Sequence, residues 1–104
     1  MGRRTLSFGA VAILHAIAGE SLFGFDIMAT TGLTSGTVYP TLDRLEHRGL
    51  IRSYIGDPTA ERGGRAKRHF VLLKPGLDEV RRTWRQYATL AKGLEAALEK
   101  GRGK

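Results

Sequence analysis

The beginning of the chain repeats apolar residues every three or four positions between Ser7 and Gly19. This spacing places them on one side of an α-helix, and the flanking Ser7 and Gly19 are typical of a helix start and a helix end. The residues that set the pattern are Phe8 or Val11, Leu14, Ile17 and Ala18. A mostly buried first helix is therefore predicted.

Two further helical stretches follow with a very short connection between them. Residues 24–31 end at Gly32, which suits the left-handed position that closes a helix. A third helix is predicted from about Ser35 to Arg48, with Thr34 or Ser35 as its N-cap, and its core-facing residues are Val38, Leu42 and Leu45. Two helices joined by three or four residues that include a glycine form a helix-turn-helix, although plain helical hairpins share this pattern.

Strand-like segments come next. Residues 51–55 alternate between apolar and polar types, and residues 68–73 are rich in strand formers. The glycine-rich loop 56–66 lies between them, and we call this loop with its two strands the wing. Three helices followed by a hairpin is the element order of a winged helix. We expect Arg62 and Arg65 of the loop to reach phosphates or the minor groove of DNA.

The last segment predicts one long helix. Residues 74–76 break the strand, and apolar residues then recur at alternating spacings of three and four until about Lys100. This seam consists of Leu77, Val80, Trp84, Tyr87, Ala91, Leu94 and Leu98. The apolar face that the seam forms is larger than the rest of so small a domain can cover. This excess predicts a homodimer formed through the last helix. We divide the chain into a DNA-binding domain, 1–74, and a dimerisation helix with a basic tail, 75–104.

The fold predicted from these patterns is mostly α with a small β component (α+β). It is a winged helix-turn-helix with a two-stranded β-hairpin wing and a long C-terminal dimerisation helix. The 104 residues suffice for one core domain and are too few for two. No apolar run is long enough to cross a bilayer, so we expect a cytoplasmic protein without a membrane partner.

The net charge of +7 is unevenly distributed along the chain. Residues 1–57 carry five basic and five acidic side chains, whereas residues 58–104 carry twelve basic and five acidic ones. Clustered positive charge favours a polyanion, because neutralising phosphates releases condensed counterions. A basic run can also be plain solvated surface, so the interpretation depends on the winged-helix context around it.

Neither catalysis nor a cofactor is predicted. The chain lacks cysteine, which excludes disulfides and thiolate metal sites. His15, His47 and His69 do not share a metal-ligand spacing, and no nucleophile has a paired base in the sequence. We therefore expect a protein that is not an enzyme and binds no metal. Asp43 and Glu46 are expected to pair with arginines of their own helix.

The start of the third helix carries the small polar residues that a recognition helix needs. There, the backbone approaches phosphates and short side chains reach base edges. The side chains predicted to bind DNA from this helix are Thr34, Ser35, Gly36, Thr37, Tyr39 and Arg44. Tyr39 could instead cover the edge of the core, but its position in the first turns favours a hydrogen bond to a phosphate.

Several segments together resemble the PadR family of transcriptional regulators. They are Gly24-Phe25-Asp26-Ile27, the run from Gly32 to Glu46, Gly49-Leu50-Ile51, and the run from Gly63 to Leu72. Thr37-Val38-Tyr39-Pro40 leading into Leu42 and Leu45-Glu46 is the most specific part. The resemblance covers about residues 6–100. The sequence departs from the family pattern in the wing, where Glu61-Arg62 is extra and Ala66 replaces a proline or basic residue.

The resemblance implies a dimeric repressor that binds palindromic double-stranded DNA and releases it when a small inducer binds. Carried over by position, Ser35, Gly36, Thr37 and Tyr39 would face the major groove, and Arg65 and Lys67 would be wing contacts. In some short family members, aromatic residues at the dimer interface line a slot for flat aromatic ligands. Trp84 and Tyr87 fit either such a slot or a plain interface core.

Two other functions remain open at this stage. The chain could be a dimerisation or interaction module that retains the winged helix and binds nucleic acid only non-specifically. Alternatively, the basic amphipathic C-terminal helix could dock on membranes or RNA. Salt-sensitive binding that is much tighter to a palindromic site than to random DNA would separate the regulator from both.

Overall fold

The computed structural model describes residues 6–20, 23–56 and 67–102, and this part folds into helices packed beside one β-hairpin. The element order matches the predicted winged helix. The elements are α1 (Phe8–Ala18), α2 (Gly24–Thr31), α3 (Ser35–His47), β1 (Ile51–Ile55), β2 (Arg68–Leu72) and α4 (Lys74–Arg102).

The ends of the first helices follow the local signals in the sequence. Ser7 caps α1, because its side-chain oxygen accepts a hydrogen bond from the backbone N–H of Ala10 at 3.2 Å. Gly32 closes α2 with φ of 76°, and its N–H donates to the carbonyl of Met28 at 2.8 Å. Only a residue without Cβ adopts this conformation at little cost, so the tight turn between α2 and α3 depends on Gly32.

One hydrophobic core holds the elements together. Helix α1 lies at its centre, and the three residues predicted to face inward from α3 are all buried. The core residues are Ala10, Ile13, Leu14, Ala16, Ile17, Ile27, Val38, Leu42, Leu45, Leu50, Ile51 and Phe70. Burying a Val, Leu, Ile or Phe side chain contributes roughly 1.5–3 kcal/mol, which outweighs the weak intrinsic propensity of short helices such as α2.

The wing strands form an antiparallel pair in which Ile51 lies opposite Leu72 and Ile55 lies opposite Arg68. The ladder continues one step toward the loop, where the N–H of Gly56 donates to the carbonyl of Lys67 at 2.8 Å. Ile51 and Phe70 anchor the hairpin in the core, so the strands extend from a fixed base.

Helix α4 begins at Lys74, earlier than the predicted break at residues 74–76. Pro75 is tolerated because the N–H groups of a first helical turn have no partner within the helix. The 29 residues of α4 make a rod of about 43 Å. Its first half packs on the core through Val80, whereas every residue from 89 to 101 is exposed.

Candidate nucleic-acid interface

The first turn of α3 is open to solvent. Thr34, Ser35, Gly36 and Thr37 are all exposed, and the side chain of Thr34 makes no capping hydrogen bond. The space around Gly36 is open as well, since the nearest atom that an added methyl group would meet is the Thr34 side-chain oxygen, at 4.0 Å. Short polar side chains and exposed N–H groups at a helix N-terminus suit close approach to an anionic backbone.

Tyr39 connects this turn to α2. Its ring lies against Gly24, so closely that a methyl group at position 24 would overlap the ring. The side chain is nevertheless 43% exposed. Tyr39 therefore packs between the two helices of the helix-turn-helix while part of its side chain stays exposed, and its hydrogen bond to a phosphate stays a prediction.

Arg44, another predicted DNA-binding residue, lies near the start of α1. It is exposed, and its guanidinium donates to the Thr41 hydroxyl at 3.1 Å. With Arg48 it lines a groove beside Ser7 at the start of α1, whereas Tyr39 and Lys67 line a different groove. The fold thus brings Arg44 toward α1, and a role in DNA binding stays a prediction.

A polar network joins α3 to both wing strands. The carboxylate of Glu46 accepts hydrogen bonds from the Ser53 N–H at 3.2 Å and from the Ser53 hydroxyl at 2.9 Å. The Arg68 guanidinium donates to the same carboxylate at 3.2 Å and to the Ser53 hydroxyl at 3.1 Å. The predicted pairing of Glu46 with an arginine of its own helix is wrong, because the folded hairpin offers it both Ser53 and Arg68.

An aromatic cluster forms the base of the wing. The His69 ring stacks on Tyr54 with 4.7 Å between centroids and lies 4.5 Å from the Phe23 ring. The Lys67 ammonium lies 4.1 Å from the centroid of Phe23, a cation–π contact. Sequence reasoning missed this cluster, since Phe23 precedes α2 and meets the hairpin only in the tertiary fold. The predicted contacts of Arg62 and Arg65 lie outside the described residues.

The seam of α4 divides into two parts. Val80 packs on the core, and the Tyr87 ring lies 6.1 Å from the ring of Phe8 in α1. Trp84 faces outward and is 63% exposed, although its ring is 6.5 Å from that of His15. The remaining seam residues are exposed: Leu77, Ala91, Leu94 and Leu98.

The buried face of α4 also includes two polar residues that the heptad pattern left out, Glu79 and Thr83. The hydroxyl of Thr83 donates to the carbonyl of Glu79 at 2.7 Å and so accepts from Nε2 of His15 at 2.9 Å. Burial lowers the pKa of His15, because desolvation disfavours the charged imidazolium. His15, whose charged form burial disfavours, therefore links α1 to α4.

Within residues 6–20, 23–56 and 67–102, no three acidic or histidine side chains are grouped so that they could hold a metal ion. No helix in the same part is both long and apolar enough to cross a membrane.

Comparisons with known proteins identify the fold. No profile of a known protein family matches the chain, and no curated protein matches it by sequence. Among solved structures, a PadR family transcription regulator from Clostridium difficile has a TM-score of 0.73 and 21% identity, over 88% of this chain and 99% of that one. A Streptococcus transcriptional regulator has a TM-score of 0.68 and 26% identity, over 84% of this chain and 88% of that one.

A third similar structure is that of BpsR from Bordetella bronchiseptica, whose DNA binding is regulated by 6-hydroxynicotinic acid. Its TM-score is 0.71 at 18% identity, over 89% of this chain and 67% of that one. The predicted resemblance to PadR regulators is confirmed at the level of the fold by the Clostridium difficile regulator and by PadR-like structures from Bacillus cereus and a Bacteroides species. The chain is a winged-helix protein with the PadR-like fold.

Proposed function

We propose that this protein is a homodimeric, sequence-specific DNA-binding regulator of transcription that acts as a repressor. The observation that carries the proposal is the exposed first turn of α3, a helix whose other end is joined to the wing strands by the contacts of Glu46 with Ser53 and Arg68. A recognition helix reads bases with the side chains at its N-terminal end, and Ser35 and Thr37 are short enough to reach them.

Charge supports the same surface. The whole net charge of +7 comes from residues 58–104, and Lys67, which carries part of it, lines the same groove as Tyr39 of α3. Phosphate contacts from such residues would supply affinity and fix the register of the protein on the duplex, while α3 would supply the base preference.

The dimer is formed through α4. Leu94 and Leu98 are 61% and 57% exposed, in a helical segment that has no buried residue. An isolated helical end with an apolar face is marginally stable in water, and packing against a second copy would cover it. A two-fold dimer of this kind would place two recognition helices on the half-sites of a palindrome.

The effector is a small, flat aromatic compound that binds beside Trp84 and Tyr87 and releases the DNA. The partly exposed rings of these residues flank the contact between α1 and α4, which links the dimerisation helix to the DNA-binding core. Regulation of BpsR by 6-hydroxynicotinic acid gives a precedent on a similar fold for an aromatic effector.

The proposal is tested by measuring where the protein binds. Genome-wide footprinting of a tagged chain, followed by affinity measurements on the recovered sites, should give palindromic operators bound at least about a thousandfold more tightly than random duplex. Repeating the measurement with candidate aromatic compounds tests the effector. Equal affinity for operator and random DNA would instead favour the interaction module that binds nucleic acid only non-specifically.

A further inference from the structure

We propose that the groove between the start of α2, α3 and β2 binds one backbone phosphate of DNA, with Lys67 and Tyr39 as its two donors. Phe23 and Gly24 are positioning residues for these donors. The inference rests on the DNA-binding function proposed above and names how the backbone is held. Both donors line the same groove, which has a volume of about 260 Å³.

Lys67 is a cation held in place without an anionic partner. Its ammonium lies over the Phe23 ring at 4.1 Å, and no carboxylate in the described part of the chain pairs with it. A cation–π contact fixes the direction of the flexible side chain but leaves the positive charge uncompensated. The same ring contacts His69 at 4.5 Å, which ties Phe23 to the β2 strand that follows Lys67.

Arg68 also lines the groove, but it differs from Lys67 in being neutralised. Its guanidinium pairs with Glu46 at 3.2 Å and donates to Ser53. Lys67 therefore supplies the uncompensated charge of this groove among the described side chains. A phosphate oxygen is the group on DNA that compensates such a charge, since base edges carry no net charge.

Tyr39 supplies the second donor. Its hydroxyl has no hydrogen-bond partner among the described residues, and the hydroxyl end of the ring lies against Gly24 at the edge of the groove. Any side chain at position 24 would displace this ring, so the glycine keeps the hydroxyl in the groove. Phe25, which is 70% exposed at the rim, gives the groove an apolar wall suited to a deoxyribose next to the phosphate.

The test uses the full chain and four variants. Lys67→Gln removes the charge, Tyr39→Phe removes only the hydroxyl, Phe23→Leu removes the ring that holds the ammonium, and Gly24→Ala displaces Tyr39. Lys92→Gln and Tyr54→Phe are matched controls outside the groove. Affinities are measured by fluorescence anisotropy on operator and random duplexes over a salt series, and thermal melts establish that each variant is folded.

Lys67→Gln should weaken binding to both duplexes and reduce the slope of log K against log salt by about one. Tyr39→Phe should weaken both by about fivefold, as expected for one hydrogen bond. Phe23→Leu and Gly24→Ala should weaken both while the salt slope changes by less than in Lys67→Gln. The controls should bind as the original protein does.

Methylphosphonate scanning of the operator identifies the phosphate. Each operator phosphate is neutralised in turn, and the loss of binding affinity is measured for each protein. At a single position, this loss should be smaller for both Lys67→Gln and Tyr39→Phe than for the original protein. Two different positions for the two variants would overturn the shared site. The shared site would also be overturned if the original protein preferred its operator but Lys67→Gln and Tyr39→Phe bound DNA as tightly as it does. That outcome would leave the proposed function standing.

The reverse outcome is also distinguishable. If the protein did not prefer any operator, but the four variants weakened binding to random duplex as described, the phosphate site would hold and sequence-specific regulation would fail. Absence of binding to any duplex at low salt would overturn both.

Discussion

Glu46 of α3 and Arg68 of β2 form an ion pair of 3.2 Å, although they are 22 residues apart in sequence. Ser53 of β1 bonds to both of them, so a single carboxylate holds α3 and the two wing strands together. This pair, with the core residues beneath it, sets how α3 and the wing are oriented relative to each other.

We expect Glu46→Ala to lower the free energy of unfolding by about 1–2 kcal/mol, because Ser53 and Arg68 lose their shared acceptor. Urea denaturation measures the change. Asp43→Ala, at an exposed position of the same helix, is the control and should change stability by less than about 0.5 kcal/mol. Equal effects of the two variants would show that the network does not stabilise the wing.

His15 should make stability depend on pH. Its pKa is lowered in the folded protein by desolvation, so the unfolded chain binds the proton more readily. Above the ordinary histidine pKa of about 6.5, His15 does not reduce the free energy of unfolding. As the pH falls through that value toward the lowered pKa, the unfolded chain takes up the proton first and the free energy of unfolding decreases.

Denaturation of the protein and of His15→Gln between pH 8 and pH 5 measures this contribution. Between pH 8 and pH 5, the free energy of unfolding should fall by less in His15→Gln than in the original protein. His47→Gln, changed at an exposed position, should show the same fall as the original protein. The same pH dependence in all three proteins would contradict the assignment.

The dimer depends on the exposed apolar face of α4. Leu94→Lys or Leu98→Lys should place a charge in the proposed interface and shift the sedimentation coefficient toward that of a monomer. Thr89→Lys adds the same charge on an exposed part of the helix away from the seam and should leave the coefficient unchanged. A dimer that survives both leucine substitutions would show that α4 is not the interface.

Two glycines of α4 should respond in opposite directions to alanine. A methyl group at Gly76 would overlap the backbone carbonyl of Leu50, so Gly76→Ala should destabilise the protein by about 1–3 kcal/mol, as overpacking does. Gly93 has open space around it, and Gly93→Ala should stabilise by up to about 1 kcal/mol through helix propensity. Thermal unfolding of the two variants checks both signs, and a stabilising Gly76→Ala would contradict the close packing.

Base reading and backbone binding should separate by mutation. Replacing Thr37 or Ser35 with alanine should reduce the preference for the operator, because short side chains of the first turn face base edges in the proposed complex. Arg65→Ala in the wing should instead weaken binding to all sequences. Competition assays with operator and random duplexes measure both effects, and a similar loss of preference from both classes of variant would contradict the division of roles.

The sequence predicted the elements and most of the core because those depend on neighbours along the chain. Helical spacing identified Val38, Leu42 and Leu45 as buried, and Gly32 marked the turn between α2 and α3. The exposed polar turn at Ser35 was predicted for the same reason, since the core-facing residues of a helix define its opposite face. These features are local, so composition and periodicity suffice.

The seam of α4 shows where periodicity stops being informative. Its seven residues share one helical stripe, but α1 covers only part of it, so Val80 is packed and Trp84 is exposed. Which side of an amphipathic helix meets its own domain depends on how the helix leaves the hairpin, and Gly76 and Leu50 set that geometry. Heptad spacing carries no information about this.

The spacing of apolar and polar residues thus determined a winged helix with an exposed polar turn at the start of α3 and a long amphipathic helix, because spacing along the backbone decides which residues share a face. Only the tertiary structure decided that Glu46 pairs with Arg68, that His15 bonds Thr83, and that Lys67 and Tyr39 line one groove. Each of these partnerships joins residues that are distant in sequence, and the packing of α1 against α4 and of α3 against the hairpin brings them within reach.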